Sequence, residues 1–385
     1  MQIRLKRYEP AESLDQAIAL AQLLTEDGEF KRDLKPSERA FIRNERILTQ
    51  QDFYYWLRYC AIIRDGVEGG GLGTLNLWES QKVLMTLIEK LEERNIEMQD
   101  RGGPCDGILI CDNKGGRQLG HTMIGRAITM HRLTTWNYTR AMGASIDEDK
   151  LLELYDRDKL ILDNLPFFLK PKLEFDKKGE HISFLHSKSR ILYQQAKQQS
   201  GIGTGRQFDI NHNTEISTWP YPRMLEMDFF PTLPQHPYTF SLQETTPAGR
   251  GNWWFIWSQR VREGRIPRWA YLYIPFYAEP KKYRRTPPAN WNPSEDTLAM
   301  AKLVYDTSPE FVGKAVILTR DQMYWWESSY REAQENNSLN LFLSNYSVTP
   351  DQSFQHTTLS AFKAEVLDKL RMQVKRGAAY EVSLS

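Results

Sequence analysis

One run of residues, Asp112-Asn-Lys-Gly-Gly-Arg-Gln-Leu-Gly-His-Thr122, constrains this chain more than any other. It follows an apolar stretch, Gly107–Cys111, that reads as a strand, and it leads into a helical pattern, His121–Leu133. From Gly115 onward it reads G-x-x-x-x-G-His-Thr. Glycines at that spacing let backbone N–H groups (here of Gly115, Gly116, Arg117, Gln118, Leu119 and Gly120) wrap phosphate oxygens, with a helix N-terminus behind them. A hydroxyl such as that of Thr122 then suits Mg²⁺. The lysine usual before the hydroxyl residue is replaced by His121, so the cation for the β/γ-phosphate oxygens falls to Lys114, Arg117 or His121. A glycine-containing turn before a helix is also a common connector, so the weight must come from the rest of the chain.

The surrounding pattern alternates strands and helices. Tyr138–Ala144, Ile182–His186, Phe208–His212, Tyr238–Leu242 and Ala270–Phe276 read as strands. A helix is expected from a capping box at Ser145/Glu148 toward Asn164. Strands separated by helices predict an α/β fold with a central, mostly parallel sheet, the fold of a P-loop NTPase, with ligands at the carboxyl ends of strands. Residues 1–100 read as a helical segment, with stripes in Leu14–Leu24 and Phe53–Ile63, a Gly-rich loop Gly66–Gly73, and a helix opening at Leu77-Trp-Glu-Ser-Gln81. Residues 101–280 form the core, and 281–362 form a small helical lid entered through Lys281-Lys-Tyr-Arg-Arg-Thr-Pro-Pro288. The lid's helices are expected at Ser294–Tyr305 and Asp321–Gln334, the latter with a Thr319/Gln322 capping box. A last basic helix is expected over Ser360–Arg376, with 363–385 as the start of a linker.

Two more strand ends carry chemistry. The Phe208 strand runs to Thr214-Glu215, a position for a metal-side hydroxyl followed by a water-activating carboxylate. The Tyr238 strand runs to Gln243-Glu-Thr-Thr-Pro-Ala-Gly249, where amide and hydroxyl groups of Gln243, Thr245 and Thr246 are placed to sense a γ-phosphate. The alternative is a turn built by Pro247 and Gly249.

Taken together, Gly-Arg-Gln-Leu-Gly-x-Thr, Ser-x-Asp-Glu with a helix closing in Leu-Pro-x-Phe-Leu (Leu165–Leu169), x-Glu-Ile-x-x-Trp, and Thr-Thr-Pro-x-Gly-x-x-Asn-Trp resemble the ATPase domain of tailed-phage terminase large subunits, from about Asp52 to Phe362. The resemblance implies ATP and Mg²⁺ as cofactors and Glu215 as the catalytic glutamate. It implies Trp78 and Gln81 on the adenine, and Gln243–Gly249 coupling hydrolysis to lid movement. Arg206, Arg223 and Arg250 are its candidates for an arginine supplied to a neighbouring subunit. Lys114 sits one residue from that family's displaced lysine. Thr214 replaces its usual acid, leaving Mg²⁺ to Thr122, Thr214, water and Asp209. Also implied are a homo-oligomeric ring, a pentamer, at the procapsid portal in the host cytoplasm, with portal protein, small terminase subunit and double-stranded DNA as partners. The family's nuclease domain would begin past Phe362, where Lys363–Ser385 hold no acidic cluster, so nuclease activity is not expected.

Charge and composition fit this without requiring it. The chain has 50 Lys+Arg against 49 Asp+Glu over 385 residues, so DNA contact must come from local patches such as Lys281/Lys282/Arg284/Arg285 around Tyr283, which reads equally as a solvated linker. Cys60, Cys105 and Cys111 show no metal spacing and read as buried thiols of a reducing compartment. No signal peptide or spanning segment is apparent: the most apolar run, Trp269–Ala278, is broken by Pro275. A soluble protein without membrane partners is expected. Two rival readings stay open, a nucleotide-binding scaffold that has lost hydrolysis and a helicase-like DNA-dependent ATPase.

Overall fold

Prolines punctuate the start of the chain. Helices α1 (Pro10–Ala21) and α2 (Pro36–Gln51) both open on proline, where a missing N–H costs nothing. The helix α3 (Phe53–Trp56) is capped by Asp52, whose side chain accepts from the Tyr55 N–H. Beyond it the expected helix to Ile63 is not formed. After a 3₁₀ turn at Leu57–Tyr59 the chain becomes β1 (Ala61–Arg64), paired antiparallel with β2 (Gly71–Thr74). The run Ala-Ile-Ile-Arg carries consecutive β-branched residues, which favour extended backbone. Helix α4 (Glu79–Asp100) follows; its start is closed by Gln81, which accepts from the Trp78 N–H at 2.9 Å.

The computed structural model describes residues 6–64, 71–176, 180–196, 202–203 and 205–355. The expected helix Ser360–Arg376, the segment 363–385 and part of the Gly66–Gly73 loop lie outside these. The core elements are β3 (Ile108–Gly115), α5 (His121–Thr135), β4 (Arg140–Ser145), α6 (Glu148–Asn164), β5 (Leu173–Phe175), β6 (His181–Phe184), β7 (Ser189–Gln195), β8 (Ile210–Thr214) and β9 (Phe240–Thr245). Then come α7 (Trp253–Arg262), β10 (Ala270–Pro275), α8 (Glu295–Val312), α9 (Arg320–Glu335), α10 (Leu339–Asn345) and α11 (Pro350–Ser353). Eight strands form one sheet in the order β10-β3-β9-β8-β4-β7-β6-β5. β3 with β10, β4 with β8 and β4 with β7 are parallel, while β5-β6-β7 form an antiparallel edge. The fold is thus mixed α/β, with a mostly parallel sheet flanked by helices.

Several expected boundaries move. β3 continues through Asp112-Asn-Lys to Gly115, and β8 and β9 each run on past the apolar residues to Thr214 and Thr245. The reason is mutual satisfaction of polar groups. In β8 and β9, Asn213 donates to Gln243 Oε1 (2.8 Å), and Gln243 donates to Asn211 Oδ1 (2.6 Å) and Ser241 Oγ (2.8 Å), all buried. A fully satisfied buried network lets polar residues stay inside a sheet. The Ser145/Glu148 capping box is replaced: Ser145 ends β4, and Asp147 caps α6 by accepting from the Lys150 N–H at 2.9 Å. The Thr319/Gln322 box of α9 is present as expected.

The chain divides into two compact units that are not consecutive segments. The first comprises 1–109, 120–214 and 219–243; the second comprises 110–119, 215–218 and 244–385. In the first unit α5 packs beside α4, α6 and β8, and a buried Arg126–Asp158 pair is joined by the Tyr193 hydroxyl. In the second, α8, α9 and α10 close over Phe276, Val304, Trp326 and Phe342. All three cysteines are buried free thiols. Among the described residues no helix is long and apolar enough to cross a membrane.

His131, on α5, is held neutral. Burial pushes its pKa down to about 4, although its Nε2 lies 2.8 Å from the Thr49 carbonyl. Below its ordinary value of about 6.5 the unfolded chain takes up a proton that the folded chain refuses, so stability falls as pH drops from there toward 4. The contribution at stake is on the order of 3 kcal/mol. Urea denaturation at pH 7 and pH 4.5 should show a smaller acid-side loss in His131→Gln than in the wild type; equal losses in the two proteins would exclude this origin.

Candidate active site

A lysine side chain is removed from water only where anions compensate for its charge. Lys114, at the carboxyl end of β3, has a side chain only 10% exposed. Its Nζ lies 3.6 Å from Oε2 of Glu244 and 3.8 Å from Oε1 of Glu215. Burial pulls the Lys114 pKa down, but the carboxylates of Glu244, Glu215 and Asp112, in that order, outweigh it, and the group stays above the ordinary lysine value. Lys114 is therefore a cation at neutral pH. The two ion-paired carboxylates differ: Glu244 is fully buried, whereas the Glu215 side chain is 38% exposed. Glu215 also holds φ at 55°, the left-handed region that costs a non-glycine residue about 1 kcal/mol or more. Strain of that kind collects where a side chain must be aimed.

The same unit contains the first part of the loop. A Cβ on Gly116 would stand 2.8 Å from the Phe276 Cα, so only glycine fits there. Arg117 and Gln118 are exposed and Leu119 is buried. The Tyr283 hydroxyl donates to the Arg117 carbonyl, and Lys282 Nζ donates to the Gln118 carbonyl at 2.5 Å. Arg285 donates to Ser328 at 3.0 Å. Two members of the basic Lys281–Arg285 cluster thus carry structural contacts, in keeping with the linker reading of it. Thr245 shares a 2.8 Å hydrogen bond with Ser217, whose hydroxyl donates to the Thr246 carbonyl. Arg250 is buried and donates to the Asp351 carbonyl at 3.4 Å.

The first unit contains the end of the loop and the start of α5. Gly120 has φ 77°, and a Cβ there would lie 2.4 Å from Gln81 Nε2, which donates to the Gly120 carbonyl at 2.9 Å. Gln81 is 2% exposed, so it is no surface residue, and its amide is committed at both ends, to Trp78 and to Gly120. Trp78 is 40% exposed. His121 is buried with Nε2 3.2 Å from the Ser80 carbonyl, which aims this ring at α4. Thr122 is half-buried in the first turn of α5. Thr214 donates to Ser145 at 3.0 Å and its carbonyl accepts from the Trp219 indole at 3.0 Å. Gln243 lies in the amide network described above. Arg206 and Arg223 are both exposed.

Asp209 does not join Thr214. It precedes β8, where it accepts from the Arg140 N–H at 2.9 Å. Thr214 closes the same strand, and at roughly 3.3 Å per residue the two are separated by the strand's length. Sequence reasoning overlooked Glu244, reading Gln243-Glu-Thr-Thr for its amide and hydroxyls. The available signal was a lone carboxylate in an otherwise uncharged strand end. It also missed Ser217 and Ser145 as the partners of Thr245 and Thr214. Among the described residues no cluster of His, Cys, Asp or Glu forms a ready metal site.

No family model and no curated protein matches the chain. Among solved structures it is similar to the large terminase of bacteriophage HK97, with TM-score 0.48 and 12% identity over 76% of this chain and 54% of that one. It is also similar to the large terminase ATPase domain of Thermus phage P74-26, with TM-score 0.40 and 12% identity over 63% of this chain and 88% of that one. A third likeness is to a thermophilic bacteriophage large terminase in complex with ADP, with TM-score 0.34 and 15% identity over 49% and 46% of the two chains. The chain spans about half the length of the HK97 protein. At this level of likeness the chemistry has to be read from the chain's own residues.

The geometry at Gly120 gives a direct test. Gly120→Ala combines a left-handed φ with a clash on Gln81, and should cost about 1–3 kcal/mol in denaturant unfolding. Gly251→Ala, where a Cβ meets nothing within 4 Å, should change stability by less than about 0.5 kcal/mol. Equal effects would rule out the close approach of Gln81 as the constraint.

Proposed function

We propose that this chain is an ATP-hydrolysing motor of the terminase large-subunit type, which drives double-stranded DNA into a viral procapsid. The observation that carries the proposal is a cation and a strained glutamate at strand ends, Lys114 at the end of β3 and Glu215 directly after β8, with their charges paired at 3.8 Å. A glycine loop leading from Lys114 into α5 supplies amides of the kind that bind phosphates. The order of motifs along the chain supports the same reading.

In this mechanism Lys114 neutralises charge on the β/γ-phosphate oxygens and the loop amides hold them. Of the three candidate cations, Lys114 is favoured by its carboxylate partners; His121 is turned to the Ser80 carbonyl and Arg117 is exposed. Mg²⁺, when bound, would polarise the γ-phosphate; Thr122 has the hydroxyl for it, while that of Thr214 donates to Ser145. Glu215 orients and deprotonates the attacking water, and electrostatic stabilisation of the transferring phosphoryl group supplies most of the rate. Thr245 and Thr246, tied to Ser217 two residues past Glu215, form a path by which hydrolysis reaches the chain beyond β9. Trp78 offers an exposed ring for stacking on a base, and Gln81 acts on the loop backbone. Exposed Arg206 and Arg223 are better placed than buried Arg250 to serve a neighbouring subunit, so the reading includes a homo-oligomeric ring, with portal protein, small subunit and DNA as partners.

Purified protein should turn over ATP in Mg²⁺, with a specific rate that rises with protein concentration as subunits complete one another. Glu215→Gln should lower turnover by a factor of about 10² or more while retaining nucleotide binding. Tight binding without turnover in every condition, with portal and DNA included, would favour the nucleotide-binding scaffold instead.

A further inference from the structure

The ammonium of Lys114 is shared between two carboxylates that differ in what they lose by giving it up. Glu215 is 38% exposed and can exchange the lysine for water. Glu244 is fully buried at the end of β9, 3.6 Å from Nζ. A fully buried carboxylate loses more than a half-exposed one when a cationic partner withdraws, so Glu244 holds Lys114 near whichever other anion the lysine serves. A phosphate that competes for the ammonium therefore displaces Glu215 first. From this asymmetry we propose that Glu244 is the positioning residue of the nucleotide site: it fixes Lys114 as the phosphate cation and leaves Glu215 as the carboxylate that a phosphate releases.

The inference rests on the nucleotide-hydrolysing reading and adds a role for a residue outside it. The groups acting on Lys114 come from three places: Glu244 from β9, Glu215 from the turn after β8, and Asp112 from its own strand. With Glu244 neutralised, Lys114 has Glu215 as its remaining ion-paired carboxylate, and the glutamate needed for water activation stays bound to the lysine. One anion fewer stands near the triphosphate, so nucleotide affinity has no reason to weaken.

The test compares wild type, Glu244→Gln, Glu244→Asp and Glu215→Gln by two measurements. In the first, Glu244→Gln should lower kcat at least about tenfold, the scale on which a misplaced catalytic group is felt. Its dissociation constant for a non-hydrolysable ATP analogue should be no weaker than that of wild type, and Glu244→Asp should recover part of the rate. In the second, amine acylation followed by peptide mass mapping needs no nucleotide. Lys114 should label several-fold faster in Glu244→Gln than in wild type or Glu215→Gln, and ATP should protect it in wild type. An unchanged kcat in Glu244→Gln, or equal labelling of Lys114 in the two glutamine variants, overturns the role of Glu244. If wild type shows neither turnover nor ATP protection, the nucleotide reading itself fails and the inference with it, even where labelling still ties Glu244 to Lys114. Should Glu244→Gln not fold, Glu244→Asp carries both measurements, and a wild-type rate and labelling pattern in it count against the proposal.

Discussion

The charge balance around Lys114 is the constraint to which this chain's unusual features answer. A lysine at the end of a fully buried strand is tolerated only because carboxylates meet it there, and they come from other strand ends. Parallel β-structure makes this possible: strands running in one direction bring their carboxyl termini to a common edge, so residues far apart in sequence converge without any one loop holding them all. The polar tails of β8 and β9 belong to the same arrangement. Their amides satisfy one another inside the sheet, which lets those strands run on to Thr214 and Thr245 and deliver Glu215 and Glu244.

Much of the scaffold was legible in advance, because periodicity and caps are local signals. The strand leading into the loop, the helix from His121, the α9 capping box and the start of α4 after Trp78 all follow from residues within one or two turns of each other. The expected ends of β3, β8 and β9 fall short because hydrogen bonding carries these strands on through polar residues, whereas β6 stops at Phe184, before the expected His186. The same blindness hid Glu244, because burial of a carboxylate depends on a cation that stands 130 residues away in the chain. The β1–β2 hairpin was lost for a different reason: four residues of Ala-Ile-Ile-Arg fit the tail of a helical stripe as well as a short strand.

At the site level, residue type and order single out the loop, Glu215 and the candidate cations for attention, but they do not give the partners of each residue. Gln81 shows the difference. The resemblance implies a contact with the adenine; in the structure its amide fastens the Gly120 carbonyl and closes the first turn of α4. Asp209 is close to Glu215 in sequence, yet strand geometry puts the length of β8 between them. Such assignments need three-dimensional neighbours, which no spacing rule supplies.

The contacts of Lys282 and Tyr283 carry a consequence for the loop's polarity. In a trans peptide unit the carbonyl and the N–H of the following residue point in opposite directions. With the carbonyls of Arg117 and Gln118 drawn to the connector, the amides of Gln118 and Leu119 are turned the other way. The connector thereby acts on the orientation of two peptide dipoles, and any displacement of residues 282–283 rotates the donors themselves. Movement at the entrance to the C-terminal helices and the direction in which these two loop amides point are in this way two expressions of one torsional freedom.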